Sequence, residues 1–471
     1  MKILFAASEG LPFIASGGLG DVAGSLPKAL CGEKQDCRVV LPLYGDIKPE
    51  MRAKMRFICD FTVELAWRRQ YCGVFEAAAD GVTYYFIDNE YYFRRGGLYG
   101  FFDDGERFAF FSKAIVDMLR YIDFKPDILH CNDWQTALVP VYLNCYYRGY
   151  ELYRDIRTVF TIHNIQYQGQ YSPDIIGDVL GLPQGYVEYE DCCNLMKGAI
   201  VQSDIVSTVS PTYAHEILDE WYAHGMDRLL RENNWKLRGI LNGIDTVGYD
   251  PAVDKSLYKN YSAANPQDKA INKQNLQRDM GLCQSGDIMV IGVVSRLVSH
   301  KGLDLIKYIF PKIIEEGMAV VILGSGDYIY ENFFQEMASI YPDKVAVRLG
   351  FIPDLARKIY AGADVLLMPS KSEPCGLAQM VACRYGTIPV VRKTGGLADS
   401  IIDLGDPGGC GYTFQSYNAH DMFGAIKRAQ GLYYNKPAWE SAVKHAMEMD
   451  FSWSKSAAAY IQMYEELAAR R

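Results

Sequence analysis

The sequence has no apolar run approaching the ~20 residues that a membrane-crossing helix needs, which argues against a transmembrane protein. Nor does it have a basic surplus. Its 48 Lys and Arg stand against 57 Asp and Glu, a net charge of −9, so a nucleic-acid backbone is not expected as the main partner. A local basic pocket for a small polyanion remains compatible with such an acidic surface. None of the twelve cysteines forms a C-x-x-C pair, which excludes a zinc ribbon or a thioredoxin-like centre, and no metal site is expected. Residues 1–10 carry one Lys and a short apolar run, and no signal-peptide cleavage pattern follows. Scattered thiols in such a chain read as reduced and mostly buried, which points to the cytoplasm. A plastid would be the plant equivalent, although no transit peptide is visible.

What is present suits a soluble enzyme: 49% hydrophobic and 22% charged residues over 471 positions, too long for one core and sized for two α/β domains. Aromatics reach 13%, with 34 tyrosines. Flat rings with a polar edge match sugars, whose C–H faces are apolar and whose rims carry hydroxyls.

Short runs rich in β-branched residues recur at 2–7, 38–44, 83–88, 127–131, 158–164 and 204–210, with amphipathic text such as 106–122 between them. This alternation predicts a parallel sheet with helices on both faces. Residues 246 to about 286 are polar and read as an interdomain connection containing some helix. Strand signals resume at 288–295, 319–324, 345–351, 364–369 and 388–392, a second doubly wound unit. In the tail, Ser452 is a candidate helix N-cap, and Tyr460, Ile461, Tyr464, Leu467 and Ala468 share one face. The boundaries expected are 1–245 for an N-terminal, acceptor-side domain, 246–450 for a C-terminal nucleotide-sugar domain and 451–471 for a final helix.

Four stretches carry chemistry. Gly17-Gly18-Leu19-Gly20 leads from the first strand into a helix, where glycines permit close approach and free N–H groups face an anion. It is echoed by Thr394-Gly395-Gly396-Leu397 near the other end. Arg296 and Lys301 follow a strand of the second unit, at the edge where open α/β sheets bind ligands. A departing diphosphate accumulates negative charge that a guanidinium fork and an ammonium would stabilise. Glu373, in Glu373-Pro374-Cys375-Gly376-Leu377, also follows a strand and would accept hydrogen bonds from sugar hydroxyls. His163 ends a strand of the first unit, as do His130 and Asp133, for which a structural role competes more strongly.

Together these stretches resemble the bacterial glycogen synthases and plant starch synthases, in family order across nearly the whole chain. The matching text includes Gly17 to Val22, His130-Cys131-Asn132-Asp133-Trp134, Phe160 to Asn164 and Gly239 to Asp245. It continues through Ser295-Arg296-Leu297 with Lys301-Gly302, Glu373 to Leu377, Arg384 to Pro389 and Lys393 to Asp399. The resemblance implies the GT-B architecture: two Rossmann-like, doubly wound parallel-sheet domains around a deep cleft, with the last helix returning to the first domain. It implies a retaining transfer of glucose from ADP-glucose to the non-reducing end of an α-1,4-glucan, with no cofactor. Carried over by position, Arg296 and Lys301 hold the diphosphate. Glu373, Cys375, Gly376 and Leu377 hold the glucose, Thr394, Gly395 and Gly396 contact phosphate, and Phe351 stacks on the base. Gly17, Gly18, Asp21, His163 and Asn242 line the sugar site, and Tyr99 faces the acceptor.

One departure stands out. Ala15 occupies the place where the family usually has Lys, so weaker or altered donor binding is expected, by about 1–3 kcal/mol if the contact is desolvated. Gln135 stands where His is common, and Val381 replaces the second Glu of the wider E-x7-E pattern, as in the synthase branch. Alternatives are UDP-glucose or another acceptor on the same fold, a weakly active or non-catalytic glucan-binding paralogue, and an NAD(P)-dependent oxidoreductase suggested by the glycine loop. The last leaves the Arg296 and Lys301 pair without a purpose.

Overall fold

The apolar runs of the first half assemble into one nine-stranded sheet in the computed structural model, which describes residues Met1–Ala469. Its strands are β1 (Lys2–Ala6), β2 (Asp36–Pro42), β3 (Arg56–Leu65), β4 (Arg68–Ala79), β5 (Val82–Asp88), β6 (Ile128–Asn132), β7 (Arg157–Ile162), β8 (Ile205–Thr208) and β9 (Leu237–Gly239). Their order across the sheet is β9-β8-β7-β6-β1-β2-β5-β4-β3. From β9 to β5 every pairing is parallel. The central β1 is apolar without alternation, and Ile3, Leu4, Phe5 and Ala6 are all buried, because both faces of a wound sheet are covered.

The expected purely parallel sheet is corrected at one edge, where β3 and β4 form an antiparallel hairpin beside β5. Phe61, Val63 and Leu65 of β3 point inward while Asp60, Thr62 and Glu64 are exposed, the period of a half-covered strand. The connecting residues are Ala66 and Trp67, with Ala66 at a φ of 52°. Without Asn-Gly or Gly at that turn, the hairpin carried no turn signal in the text.

The helix expected at 106–122 runs from Asp104 to Met118. The C-terminal helix (Trp453–Ala468) clusters with residues Met1–Asn242 as one unit. Tyr460, Tyr464 and Leu467 are buried, whereas Ile461 and Ala468 lie at the margin of that face.

The second unit, Gly243–Ser452, has a fully parallel six-stranded sheet. Its strands are β10 (Val290–Val294), β11 (Ala319–Gly324), β12 (Val345–Leu349), β13 (Val365–Met368), β14 (Ile388–Arg392) and β15 (Tyr412–Phe414), in the order β12-β11-β10-β13-β14-β15. Residues 246–286 are not a linker. Their helix (Lys269–Met280) places Leu276 in the core with Leu355 and Ile359, and the Tyr261 hydroxyl donates to the Tyr385 carbonyl at 2.7 Å. The polar composition misled because the polar groups are buried with partners. The Lys269 ammonium donates to the carbonyls of Tyr360 (3.1 Å) and Ala361 (2.8 Å) and to the Thr387 hydroxyl (2.7 Å).

Candidate active site

Because all strands of the second sheet are parallel, the loops leaving their carboxyl ends gather on one edge. The loops after β10 and β13 line a cavity of about 180 Å³ whose walls include Arg296, Lys301, Ser370, Glu373, Gly376 and Leu377. Inside it the Lys301 ammonium donates to both carboxylate oxygens of Glu373, at 2.9 and 2.7 Å. The Ser370 hydroxyl donates to Oε2 at 2.9 Å. The Glu373 side chain is only 8% exposed. Such a carboxylate requires its counter-charge, since a lone buried charge is strongly disfavoured. The Lys301 charge is thus compensated from within. Arg296 is exposed on the same wall, and no hydrogen bond or ion pair holds its guanidinium among the described residues. Of the two cations, Arg296 alone supplies uncompensated charge.

The loop after β14 is built against this wall. Thr394 is the N-cap of a short helix (Gly395–Ser400), with Gly395 at a φ of 44°. A β-carbon on Gly395 would collide with the Glu373 carbonyl, and one on Gly396 with the Cys375 carbonyl. The Gly396 N–H donates to the Glu373 carbonyl at 3.1 Å. Gln379, on the helix Ala378–Arg384, staples the two loops. Its amide donates to the carbonyls of Cys375 (3.1 Å) and Gly376 (2.9 Å) and to the Ser400 hydroxyl (3.1 Å). Ser400 in turn donates to the Gly396 carbonyl at 2.6 Å. The expected set from Glu373 to Leu377 and from Thr394 to Gly396 is therefore brought together. Phe351 is not: it lies beyond the outermost strand β12, outside the cavity wall, 91% exposed.

Sequence reasoning missed Ser370 and Gln379. Ser370 was legible as the first polar residue after the strand, three before Glu373. Gln379 inside helical text had no signal.

In the first unit β1, β6, β7, β8 and β9 also end on a common edge. Glu9, just past β1, is buried, and its carboxylate accepts from the Ser16 and Gly17 N–H groups. Gly17 is the N-cap of the helix Gly18–Gly32, with Asp21 in its first turn. A β-carbon at Gly18 would meet nothing within 4 Å among the described residues, so their packing does not require a glycine there. The Tyr99 hydroxyl sits 2.8 Å from that of Ser8.

Asp133 accepts from the His163 N–H at 2.8 Å. Burial raises its carboxyl to about 7, opposed by the His163 and Asn164 N–H groups and reinforced by Glu9. The His163 ring lies 2.9 Å from the Asn132 side-chain oxygen through Nε2. Asn132 spends its amide hydrogens on the carbonyls of Ala6 (3.0 Å) and His130 (3.3 Å), so its oxygen must accept and Nε2 must carry the proton. Burial pushes the His163 imidazole down to about 3, which leaves Nδ1 as an acceptor at neutral pH. His130 is structural. Its ring is fully buried between the Tyr464 hydroxyl at Nδ1 (2.6 Å) and the Thr161 hydroxyl at Nε2 (2.6 Å), bolting the C-terminal helix to the sheet. Asn242 is 5% exposed, with its side-chain oxygen unpartnered among the described residues.

With this geometry established, relatives are informative. A family model described as starch synthase catalytic domain matches residues 2–232, and one described as glycosyl transferases group 1 matches residues 285–431. A glycogen synthase of Anoxybacillus flavithermus is 48% identical over 100% of this chain and 98% of its own length. One of Clostridium beijerinckii is 46% identical over 100% of both. The chain belongs to the glycogen and starch synthase family. Among solved structures, the catalytic domain of Starch Synthase IV from Arabidopsis thaliana bound to ADP and acarbose is 34% identical, with a TM-score of 0.91 over 100% of this chain and 99% of that one. A sucrose-phosphate synthase from Thermosynechococcus elongatus, at 16% identity and a TM-score of 0.63 over 100% of both chains, shares the fold alone. This family member is thus a hexosyltransferase with the two-domain GT-B fold. No helix among its described residues is long and apolar enough to cross a membrane.

Proposed function

We propose that the protein transfers glucose from ADP-glucose to the 4-hydroxyl at the non-reducing end of an α-1,4-glucan, with retention at the anomeric carbon. The observation that carries this is the cavity in which Arg296 faces outward beside the Lys301–Glu373 pair. The bond between the anomeric carbon and the phosphate oxygen breaks first, placing negative charge on the leaving diphosphate. Arg296 stabilises that charge directly, and Lys301 does so by sharing its donors between phosphate and Glu373. Glu373 offers its oxygens to glucose hydroxyls and favours the positive charge that develops on the sugar. The acceptor hydroxyl attacks from the face the diphosphate leaves, and its proton passes to a phosphate oxygen, so ADP departs and the glucan gains one residue. Neutralisation is assigned to side chains rather than to a metal.

Thr394, Gly395 and Gly396 are proposed to contact phosphate, and Phe351, being exposed, is free to stack on a base. In the first unit Gly17, Gly18, Asp21, Tyr99, His163 and Asn242 are proposed to meet the glucosyl and acceptor groups. His163 would do so as a neutral acceptor. The choice of ADP over UDP is supported by the ADP bound in the Arabidopsis relative.

The test is incubation of the purified chain with glycogen and labelled ADP-glucose or UDP-glucose, following nucleotide release and label incorporation. Faster turnover with ADP-glucose, and label released by an α-1,4-specific glucanase, is the expected result. Preference for UDP-glucose would overturn the donor assignment, and label resistant to that enzyme would overturn the linkage.

A further inference from the structure

A second cavity of the second unit, larger than the one at Glu373, lies elsewhere. It measures about 470 Å³ and includes Lys269, Lys273, Asp364, Lys436 and Trp439 in its wall. Asp364 immediately precedes β13 and Gly286 lies before β10, so this cavity sits at the amino ends of strands whose carboxyl ends carry Glu373 and Arg296. A parallel sheet puts those ends on opposite edges, which makes this a separate site within the same unit.

Its electrostatics are unbalanced. The Lys273 ammonium uses its donors on Asp364 (2.7 Å), the Tyr433 hydroxyl (2.5 Å) and the Gly286 carbonyl (3.4 Å). Lys436 converges on the same two features, 3.6 Å from the Tyr433 ring centre and 3.4 Å from the Gly286 carbonyl. Tyr433 itself donates to that carbonyl. One ring and one carbonyl oxygen thus serve two ammonium groups, and among the described residues Asp364 is the one carboxylate in an ion pair with either. Burial and the charge of Lys273 both push the Lys436 ammonium below its ordinary range, against the weaker pull of Asp364, Asp287 and Glu440. Lys436 also opens a helix (Lys436–Glu448) with no side-chain cap among the described residues, and because Pro437 has no N–H, the Lys436 and Ala438 N–H groups carry the positive character of its first turn. The volume falls within the ~300–1,000 Å³ usual for small-molecule sites.

We propose that this cavity binds a small organic phosphate, its phosphate on Lys436 and the hydroxyl-bearing remainder toward Trp439 and the glutamine amides of the wall. An anion there would relieve the repulsion between Lys273 and Lys436, and Glu440 on the rim selects against ligands of large negative charge.

The experiment is calorimetric titration of the full chain with ribose 5-phosphate and, separately, with inorganic phosphate. Because Arg296 belongs to the other cavity, Arg296→Ala is the background in which the second site is read. Ribose 5-phosphate should still bind Arg296→Ala. Adding Lys436→Gln should weaken that binding at least tenfold, and Lys436→Arg should restore it. Tighter binding of ribose 5-phosphate than of inorganic phosphate supports a site for the organic body, and equal affinity overturns that part. Absence of binding in Arg296→Ala at millimolar ligand, or binding indifferent to Lys436→Gln in a protein of normal melting temperature, overturns the site.

Discussion

The two sheet edges that carry the candidate residues solve opposite electrostatic problems. In the first unit burial works against charge, lifting Glu9, lifting Asp133 to about 7 and depressing His163 to about 3, with no ion pair to any of the three among the described residues, so this edge leans toward its neutral forms. In the second unit charge is paired or left in water: Lys301 and Glu373 satisfy each other and Arg296 stays in solvent. A neutral edge offers hydrogen bonds of fixed direction, which suits hydroxyls. A charged edge offers field, which suits a leaving diphosphate. The same fold type thus carries two chemistries according to whether desolvation or pairing dominates.

The comparison breaks most visibly at the charged edge. Arg296→Ala is expected to lower kcat about 10²–10³-fold, because, of the two cations in the cavity wall, it removes the one that no described residue compensates. Its melting temperature should be unchanged, since the side chain is exposed and unpaired. Lys301→Ala should lose a comparable rate and also about 1–3 kcal/mol of stability, because among the described residues Glu373 then keeps only Ser370 as a side-chain partner. Steady-state kinetics and thermal melting on both variants separate the two roles. Full activity in Arg296→Ala would end the assignment, and equal stability of the two variants would mean that Glu373 does not depend on Lys301.

At the neutral edge the expected effect is smaller and depends on pH. A carboxyl raised to about 7 stays protonated in the folded protein until the pH approaches that value, while an unfolded one ionises near its ordinary value. Folding stability therefore falls as pH rises from about 4 to 7, and the whole penalty is present above that window. Asp133→Asn keeps an oxygen for the His163 N–H and removes the ionisation. It should be about 1–2 kcal/mol more stable than the parent at pH 8 and no more stable at pH 4, the partly accessible side chain keeping the gain below the full desolvation cost. Unfolding midpoints at the two pH values check this. A variant less stable at pH 8 would show that the folded protein stabilises the Asp133 carboxylate rather than penalising it, and the contrast between the two edges would fail.

How much of this was legible depended on whether the signal was local. The central parallel strands, the loops at Arg296 and Glu373 and the paired glycine turns each announce themselves through composition at a strand end. The β3–β4 hairpin did not, because Ala66 adopts a positive φ without the residue types that mark such turns. Residues 246–286 misled for the reverse reason, since buried Lys269, Asn272, Lys273 and Gln277 look like linker text until their partners are known. The Lys301–Glu373 contact spans 72 positions, so composition gave each residue a separate ligand when each is first the other's partner. Asp133 and His163 read as strand-end polar residues, but the burial that shifts both toward their neutral forms is a property of packing and could not be read from the text.

The smallest effect tests whether the neutral edge tolerates a charge. Ala15 is exposed on the loop that Glu9 pins through the Ser16 N–H, in the place where the family usually has Lys. Ala15→Lys keeps the existing β-carbon and adds an ammonium in solvent, where a charge contact is worth about 0–1 kcal/mol. The donor KM should therefore fall by a factor of about five or less, with kcat unchanged. A tenfold or greater fall in KM, or a rise in kcat, would mean that the first unit also governs donor charge, and the division between the two edges would fail. Silence at this position would place donor electrostatics wholly in the second unit, and the missing lysine would then cost the protein nothing.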